Sequence, residues 1–394
     1  MAALLLFFAA PFQLVKALPG YGQVVYYDFE SISGINVPDA SGNGKTAQLV
    51  GNVTVEDGKD GKAVRLTGMD DCVLLPQGIM DNLTSFSIST WVNLSSTATW
   101  SRIFDFGSGM NEYLFFTPMS GGGKPRFAIK PNGGGEQLID ATVNISTYTW
   151  THIAVTFAWN TELQQGVGKL YINGEQVGVN ESMTVNPAML ASTTQNYLGK
   201  SQWPDPGMGG LLDEFVLYSR PLSDTEIMEC YGFTPEMLAA YNSLTLPGDL
   251  TRVTDNLILP TVTGTNNFPV TWASNQPDVV AADGTVNRLD LYDQQVVLTA
   301  TITMPGGVTI TKAFTLTVLS KAVKQWRSLV LETDTFSYLA AKSEPATGWY
   351  LPGFDASSWL KGIGGFGYAD NDDNTVVAAC NSIYLRRQFT VNDV

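Results

Sequence analysis

The chain has 394 residues, of which 44% are hydrophobic, 15% charged and 11% aromatic, with 37 acidic residues against 22 basic ones and a formal net charge of -15. A surface of that sign repels phosphate backbones and anionic headgroups, so nucleic-acid binding and peripheral membrane binding are set aside. The length predicts two or three domains. Three cysteines, Cys72, Cys230 and Cys380, are too far apart to form a metal motif and too few for a disulfide framework.

Residues 1–17 open with an apolar run from Ala2 to Val15 that is too short to span a bilayer of about 30 Å. With Ala17 as the small residue of a cleavage point, the run reads as a signal peptide, the alternative being a hydrophobic first strand. From about Gln23 to Ser219 short strands dominate. Phe86, Ile88, Thr90, Val92 and Leu94 alternate with Ser87, Ser89, Trp91 and Asn93, and Ile153, Val155 and Phe157 alternate with His152, Ala154 and Thr156. Period-2 alternation puts one set in a core and the other on the opposite face. Asn173-Gly174 between two apolar runs predicts a hairpin, because both turn positions tolerate positive φ. The expected class is therefore all-β, an antiparallel sandwich or barrel.

Ser223 and Glu226 form a capping box that predicts one short helix. Thr234 followed by Pro235 predicts a second, running to about Asn242. Leu246-Pro247-Gly248 then breaks the chain. Leu298, Ala300 and Ile302, followed by Phe314, Leu316 and Val318, give another pair of strands around Pro305-Gly306-Gly307. The last unit starts near Trp326, ends on a strand-like run from Tyr384 to Val391, and is too short to bury a core readily by itself. The expected domains are a signal peptide (1–17), a first β unit (22–231), a helical connector (232–248), a small sandwich (249–320) and an incomplete third β unit (325–394).

The first unit resembles the LamG-like, or concanavalin A-like, jelly-roll family. The likeness rests on Tyr26-Tyr27-Asp28-Phe29-Glu30, Asp39-Ala40-Ser41-Gly42-Asn43-Gly44, Phe86 to Val92, Trp150 to Thr156, Leu170 to Gly174, Gly210 to Phe215 and Tyr218 to Ser223, in that order. Cys72 departs from the pattern, standing where an aromatic or aliphatic strand residue is expected. The second unit is similar to atrophied bacterial immunoglobulin-like domains through Val270 to Asn275, Asp278 to Val280 and Asp283 to Val286. The third resembles the front part of a galactose-binding-like jelly roll through Gly353 to Trp359, Gly364 to Tyr368 and Tyr384 to Phe389.

These resemblances imply a secreted or surface-exposed bacterial protein that binds polysaccharide, or a cell-surface glycan or protein, without catalysing a reaction. Two other readings are carried: the accessory region of a glycoside hydrolase of the arabinan-degrading type, and a structural adhesion or scaffold protein. The fold would bring Asp28, Glu30, Asp39, Asn43 and Asp213 near one another, which implies a structural Ca²⁺ site built from oxygen ligands. The competing reading has Asp39 and Asn43 hydrogen-bonding turn amides. Trp100, Tyr113 and Trp203 lie in or near loops and are candidates to stack on sugar rings, with Asn111 and Glu112 as hydrogen-bonding neighbours. His152, the only histidine, sits inside a strand with no nucleophile placed beside it by the sequence, so it is read as structural. The acidic turn of Asp370, Asp372 and Asp373 lacks the central Gly and final Glu of an EF-hand. Gly42-Asn43-Gly44-Lys45-Thr46 mimics a P-loop tail, but the first Gly is missing and a strand follows it.

Overall fold

A computed structural model describes residues 18–68, 70–321, 328–368 and 372–389. The proposed signal peptide, Trp326, Asp370, and Thr390 with Val391 lie outside the described residues. The chain divides into two compact units: one reaches Asn287 and includes Gln295–Thr317, and the other holds Arg288–Gln294 and the described residues from Val318 on. Among the described residues no helix is long and apolar enough to cross a membrane.

The first unit is built on two eight-stranded antiparallel sheets facing each other. In one, the strands Trp150–Asn160, Phe86–Leu94 and Gly210–Tyr218 lie side by side, and the first strand, Gln23–Tyr27, pairs with Gly210–Tyr218. In the other, the order runs Gln137–Asp140, Arg126–Lys130, Tyr113–Thr117, Phe104–Gly107, Gln195–Leu198, Cys72–Leu75, Ala47–Val50, Asn36–Val37. Alternation decides which side chains meet between the sheets. Phe86, Ile88, Val92 and Leu94 face Phe104, Phe106, Leu114, Phe116 and Phe127 in a single buried core. Each such side chain, fully buried, contributes roughly 1.5–3 kcal/mol.

The outer face of the first sheet is also covered. Residues Asp224–Tyr231 form helix α1, which lays Ile227 and Cys230 on Ala154, Tyr171, Val216 and Tyr218. Its predicted capping box is present, and Gly232 ends it in the left-handed region at φ 115°. Helix α2, Pro235–Ser243, starts at the predicted Thr234 cap. It packs Met237, Leu238, Ala240 and the following Leu244 against Phe268, Val270, Ala300, Ile302 and Ile310 of a four-stranded sheet. That sheet runs Val262–Thr263, Phe268–Ser274, Gln294–Thr303, Thr309–Val318. One face of this sheet is thus covered by a helix, where a plain sandwich would use a second sheet. Lys312 donates to the carbonyls of Tyr241 and Leu244 at 2.8 Å each, satisfying groups that the end of α2 leaves open.

In the other unit, Thr335–Ala341 is the central strand between Leu360–Ile363 and Ser382–Arg386. Phe366–Gly367 and Thr375–Val376 form a separate parallel pair.

Candidate functional site

The outer face of the second sheet carries a row of side chains set by strand register. Tyr197 lies opposite Asp105, Asp105 opposite Phe115, Phe115 opposite Ala128, and Ala128 opposite Leu138. Asp105 faces outward because Phe104 and Phe106 face the core, and Tyr113 and Phe115 do so because Leu114 and Phe116 point in. Two loops close over this row. One brings Trp100, and the other, after Gln195–Leu198, brings Trp203. The result is an open cleft of about 220 Å³ with Trp100, Tyr113 and Trp203 as aromatic walls, Arg102 and Phe115 as its base, and Glu136 and Asp205 at the rim.

The rings are arranged edge to face as well as stacked. Tyr113 and Trp203 meet at 4.8 Å and 75°, and Tyr113 stacks on Phe115 at 5.5 Å. Arg102 holds the assembly together. Its guanidinium lies 4.0 Å from the centroid of Phe115 and about as far from Trp203 (5.5 Å) as from Trp100 (5.6 Å). It pairs with Asp105 at 3.4 Å and Asp205 at 3.3 Å, and also donates to the Trp100 carbonyl. Its side chain is 3% exposed and that of Asp105 0%. Burial raises the Asp105 carboxyl well above the usual carboxylate range, against the pull of Arg102 and of the Gln202 amide. Burial likewise lowers Arg102, opposed by the two aspartates. Trp100 sits at φ 65°, in the left-handed region, which costs a non-glycine residue roughly 1–2 kcal/mol. Its amide donates to Met119 O at 2.8 Å and its carbonyl accepts from Arg102. Strain held by hydrogen bonds in this way concentrates at functional positions.

Of the five candidates that the sequence offers for this site, Trp100, Tyr113 and Trp203 are brought together. Asn111 is not: it sits exposed in the turn between Phe104–Gly107 and Tyr113–Thr117, where its carbonyl accepts from Lys130. Glu112 is buried in the same turn. Arg102, Asp105, Phe115, Glu136 and Asp205 escaped the sequence reading. The one available signal was the outward place of Asp105 between two core phenylalanines.

The proposed Ca²⁺ ligands are occupied with backbone amides. Asp39 Oδ1 accepts from the amides of Tyr26 and Ser41 and from the Ser41 hydroxyl, and Oδ2 accepts from the Lys45 amide. Burial pushes this carboxyl up, but the Ser41 hydroxyl and these amides outweigh it, and it ends below its ordinary value. Asn43 donates to the carbonyls of Gln23 and Val24. Asp28 accepts from the Glu30 amide, Glu30 from the Lys62 amide, and Asp213 from the amides of Lys59 and Asp60. Glu30 and Asp213 thus serve one turn, residues 58–62, while Asp39 serves the first strand and its own loop. No group of three or more His, Cys, Asp or Glu that could hold a metal occurs among the described residues. The donor set does not fit an ion as it stands, and the geometry is that of turn capping.

His152 does have a serine beside it, which the sequence did not place. Its Nε2 lies 2.9 Å from Ser89 Oγ on the neighbouring strand. Both residues are buried, His152 at 0% and Ser89 at 3% exposure, with Trp91 and Tyr231 of α1 packed on the imidazole. No substrate can reach a pair so covered, and its place is structural. The three cysteines are free thiols, and burial raises Cys72 to about 11.

With this geometry in hand, comparison places the fold. Residues 67–228 match the Concanavalin A-like lectin/glucanases superfamily. Residues 238–321 match the atrophied bacterial Ig domain, so the chain carries a concanavalin A-like domain followed by a bacterial Ig-like one. Among solved structures it is similar to domain 4 of AbnA, a GH43 extracellular arabinanase from Geobacillus stearothermophilus, in complex with arabinotriose. That likeness has 23% identity and a TM-score of 0.46 over 53% of this chain and 98% of the other. It is also similar to the CBM40 of Ruminococcus gnavus IT-sialidase bound to alpha2,3 sialyllactose, at 14% identity and a TM-score of 0.36, over 43% of this chain and 96% of that one. Trypanosoma rangeli sialidase matches at 18% identity and a TM-score of 0.41, over 55% of this chain and 33% of the other. Among curated proteins, none matches.

Proposed function

We propose that this chain is a secreted, non-catalytic carbohydrate-binding module of a larger multidomain bacterial protein, and that glycan docks in the Trp100–Tyr113–Trp203 cleft. The observation that carries this reading is the convergence of two half-buried tryptophans, Trp100 and Trp203, on the buried Tyr113 of one strand row, fixed from below by a buried Arg102 and bordered by carboxylates. The apolar face of a sugar ring suits such walls, and its hydroxyls suit such a rim. The absence of a catalytic role is supported by the burial of the Ser89–His152 pair. Secretion rests on the apolar run of residues 2–15.

Affinity electrophoresis of the full chain through gels containing glucan, galactan, mannan, xylan or arabinan tests the proposal. At least one glycan should retard it, and Trp203→Ala and Trp100→Ala should each weaken that retention about tenfold, or ~1.4 kcal/mol. Folded protein that no glycan retards, or retention indifferent to both substitutions, would defeat the reading. Release of reducing sugar from any of these glycans by the chain alone would overturn its non-catalytic part.

A further inference from the structure

The cleft's polar groups say more about its ligand than its rings do. We infer that it selects uncharged, hydroxyl-donating sugars and rejects uronate, sialylated and sulfated glycans, an inference that rests on the platform reading above.

The inventory of hydrogen-bonding capacity carries this. Glu136 uses Oε2 to accept from the Tyr113 hydroxyl at 2.6 Å, and Oε1 has no protein partner among the described residues. Asp205 uses Oδ2 for the Ser201 hydroxyl at 2.9 Å and for Arg102, and Oδ1 has none among them. A carboxylate only accepts, so both rim positions ask the ligand for a donor. A sugar hydroxyl supplies one, whereas a carboxylate or sulfate brings a second acceptor of the same sign. The cation in the cleft offers no counterweight. Arg102 is 3% exposed, and its charge is directed at Asp105, Asp205 and the Trp100 carbonyl.

Two further cations stand near the rings, and neither reverses the balance. Arg126 lies 6.0 Å from the Trp100 centroid but is bound to both oxygens of Asp140, at 2.7 and 2.8 Å. Lys130 lies 5.9 Å from the Tyr113 centroid and donates to the Asn111 carbonyl at the hairpin turn. The chain as a whole, at -15, adds a field of the same sign as the rim.

The test pairs each neutral glycan with its own backbone carrying added charge: glucan, mannan and galactan beside the same polymers oxidised at C6 to polyuronates, run with the full chain. A neutral form should be retained and its polyuronate held at least tenfold more weakly. That penalty should shrink in 1 M NaCl, where screening acts over about 3 Å. Glu136→Gln, which keeps an acceptor for Tyr113 but removes the charge, should narrow the gap to about threefold. Equal or tighter retention of a polyuronate that Trp203→Ala still abolishes would overturn the selectivity and leave the platform standing. Retention of neither form, with none on xylan or arabinan either, or retention that Trp203→Ala does not alter, would overturn both.

Discussion

Arg102→Met removes the charge that holds the cleft together while keeping most of the stem that packs under the rings. Asp105 is then left with 0% exposure, its Gln202 amide bond and no counter-ion. Breaking a buried pair by deleting one partner costs about 3–5 kcal/mol. Asp105 can relieve part of this by taking up a proton, since burial already raises its pKa and loss of Arg102 raises it further. A net loss of ~3 kcal/mol is expected above neutrality, or about 6–12 °C in Tm at roughly 2–4 °C per kcal/mol for a domain of this size. The sign with pH follows from a folded pKa raised above the unfolded value. The stabilising contribution of protonated Asp105 is complete below the unfolded carboxylate range and is lost as pH rises through the raised folded value. Thermal melts at pH 5.5 and pH 8 should therefore show a smaller penalty at the lower pH. Adding Asp105→Asn removes the uncompensated charge, keeps an acceptor for Gln202, and should recover at least half of the loss and most of its pH dependence. An Arg102→Met melt within ~2 °C of the parent at pH 8, or a double variant worse than the single, would refute this account of the cleft.

Asp39→Ala strips three amides and a hydroxyl of their acceptor and should cost about 1–3 kcal/mol in denaturant melts. Excess EDTA should leave the parent Tm within ~1 °C, and a several-degree fall restored by Ca²⁺ would revive the ion site. Arg220 holds the Glu226 carboxyl down to about 2, so this contribution is present above the unfolded value and lost as pH falls through about 2. Glu226→Gln should flatten that part of the acid-stability curve followed by circular dichroism. Lys312→Met leaves the carbonyls of Tyr241 and Leu244 without their donor, and hydrogen exchange of the α2 amides should accelerate about tenfold if ~1.4 kcal/mol is lost locally.

Strand alternation made the sandwich legible. Phe86 to Leu94 and Leu298 to Ile302 show a regular beat that only a sheet satisfies, and the caps at Ser223 and Thr234 announced both helices. The site was half legible. Trp100 and Trp203 stood out as large aromatics in turn-forming sequence. Tyr113-Leu114-Phe115-Phe116 is apolar on both faces, so periodicity could not reveal which residues looked outward. Arg102 and Asp205 come together only because the Trp203 loop folds back over the sheet, a contact across about a hundred residues that no local pattern encodes. The bonding of the acidic residues near the first strand was illegible for a related reason. Their types suggest an ion, but only the fold shows that Glu30 and Asp213 accept from amides of one turn, at 59–62, and Asp39 from those of Tyr26, Ser41 and Lys45.

Helix α2 shares a core with the Ig-like sheet, and Tyr231 at the end of α1 packs on Phe233 at its start. The joint between sandwich and sheet is therefore a wedge of side chains and not a swivel. A tether of free coil would let the cleft sweep a wide solid angle and forfeit that freedom each time it met a partner. A stiff mount has forfeited it during folding, so contact with an immobile polymer begins from a narrower set of poses.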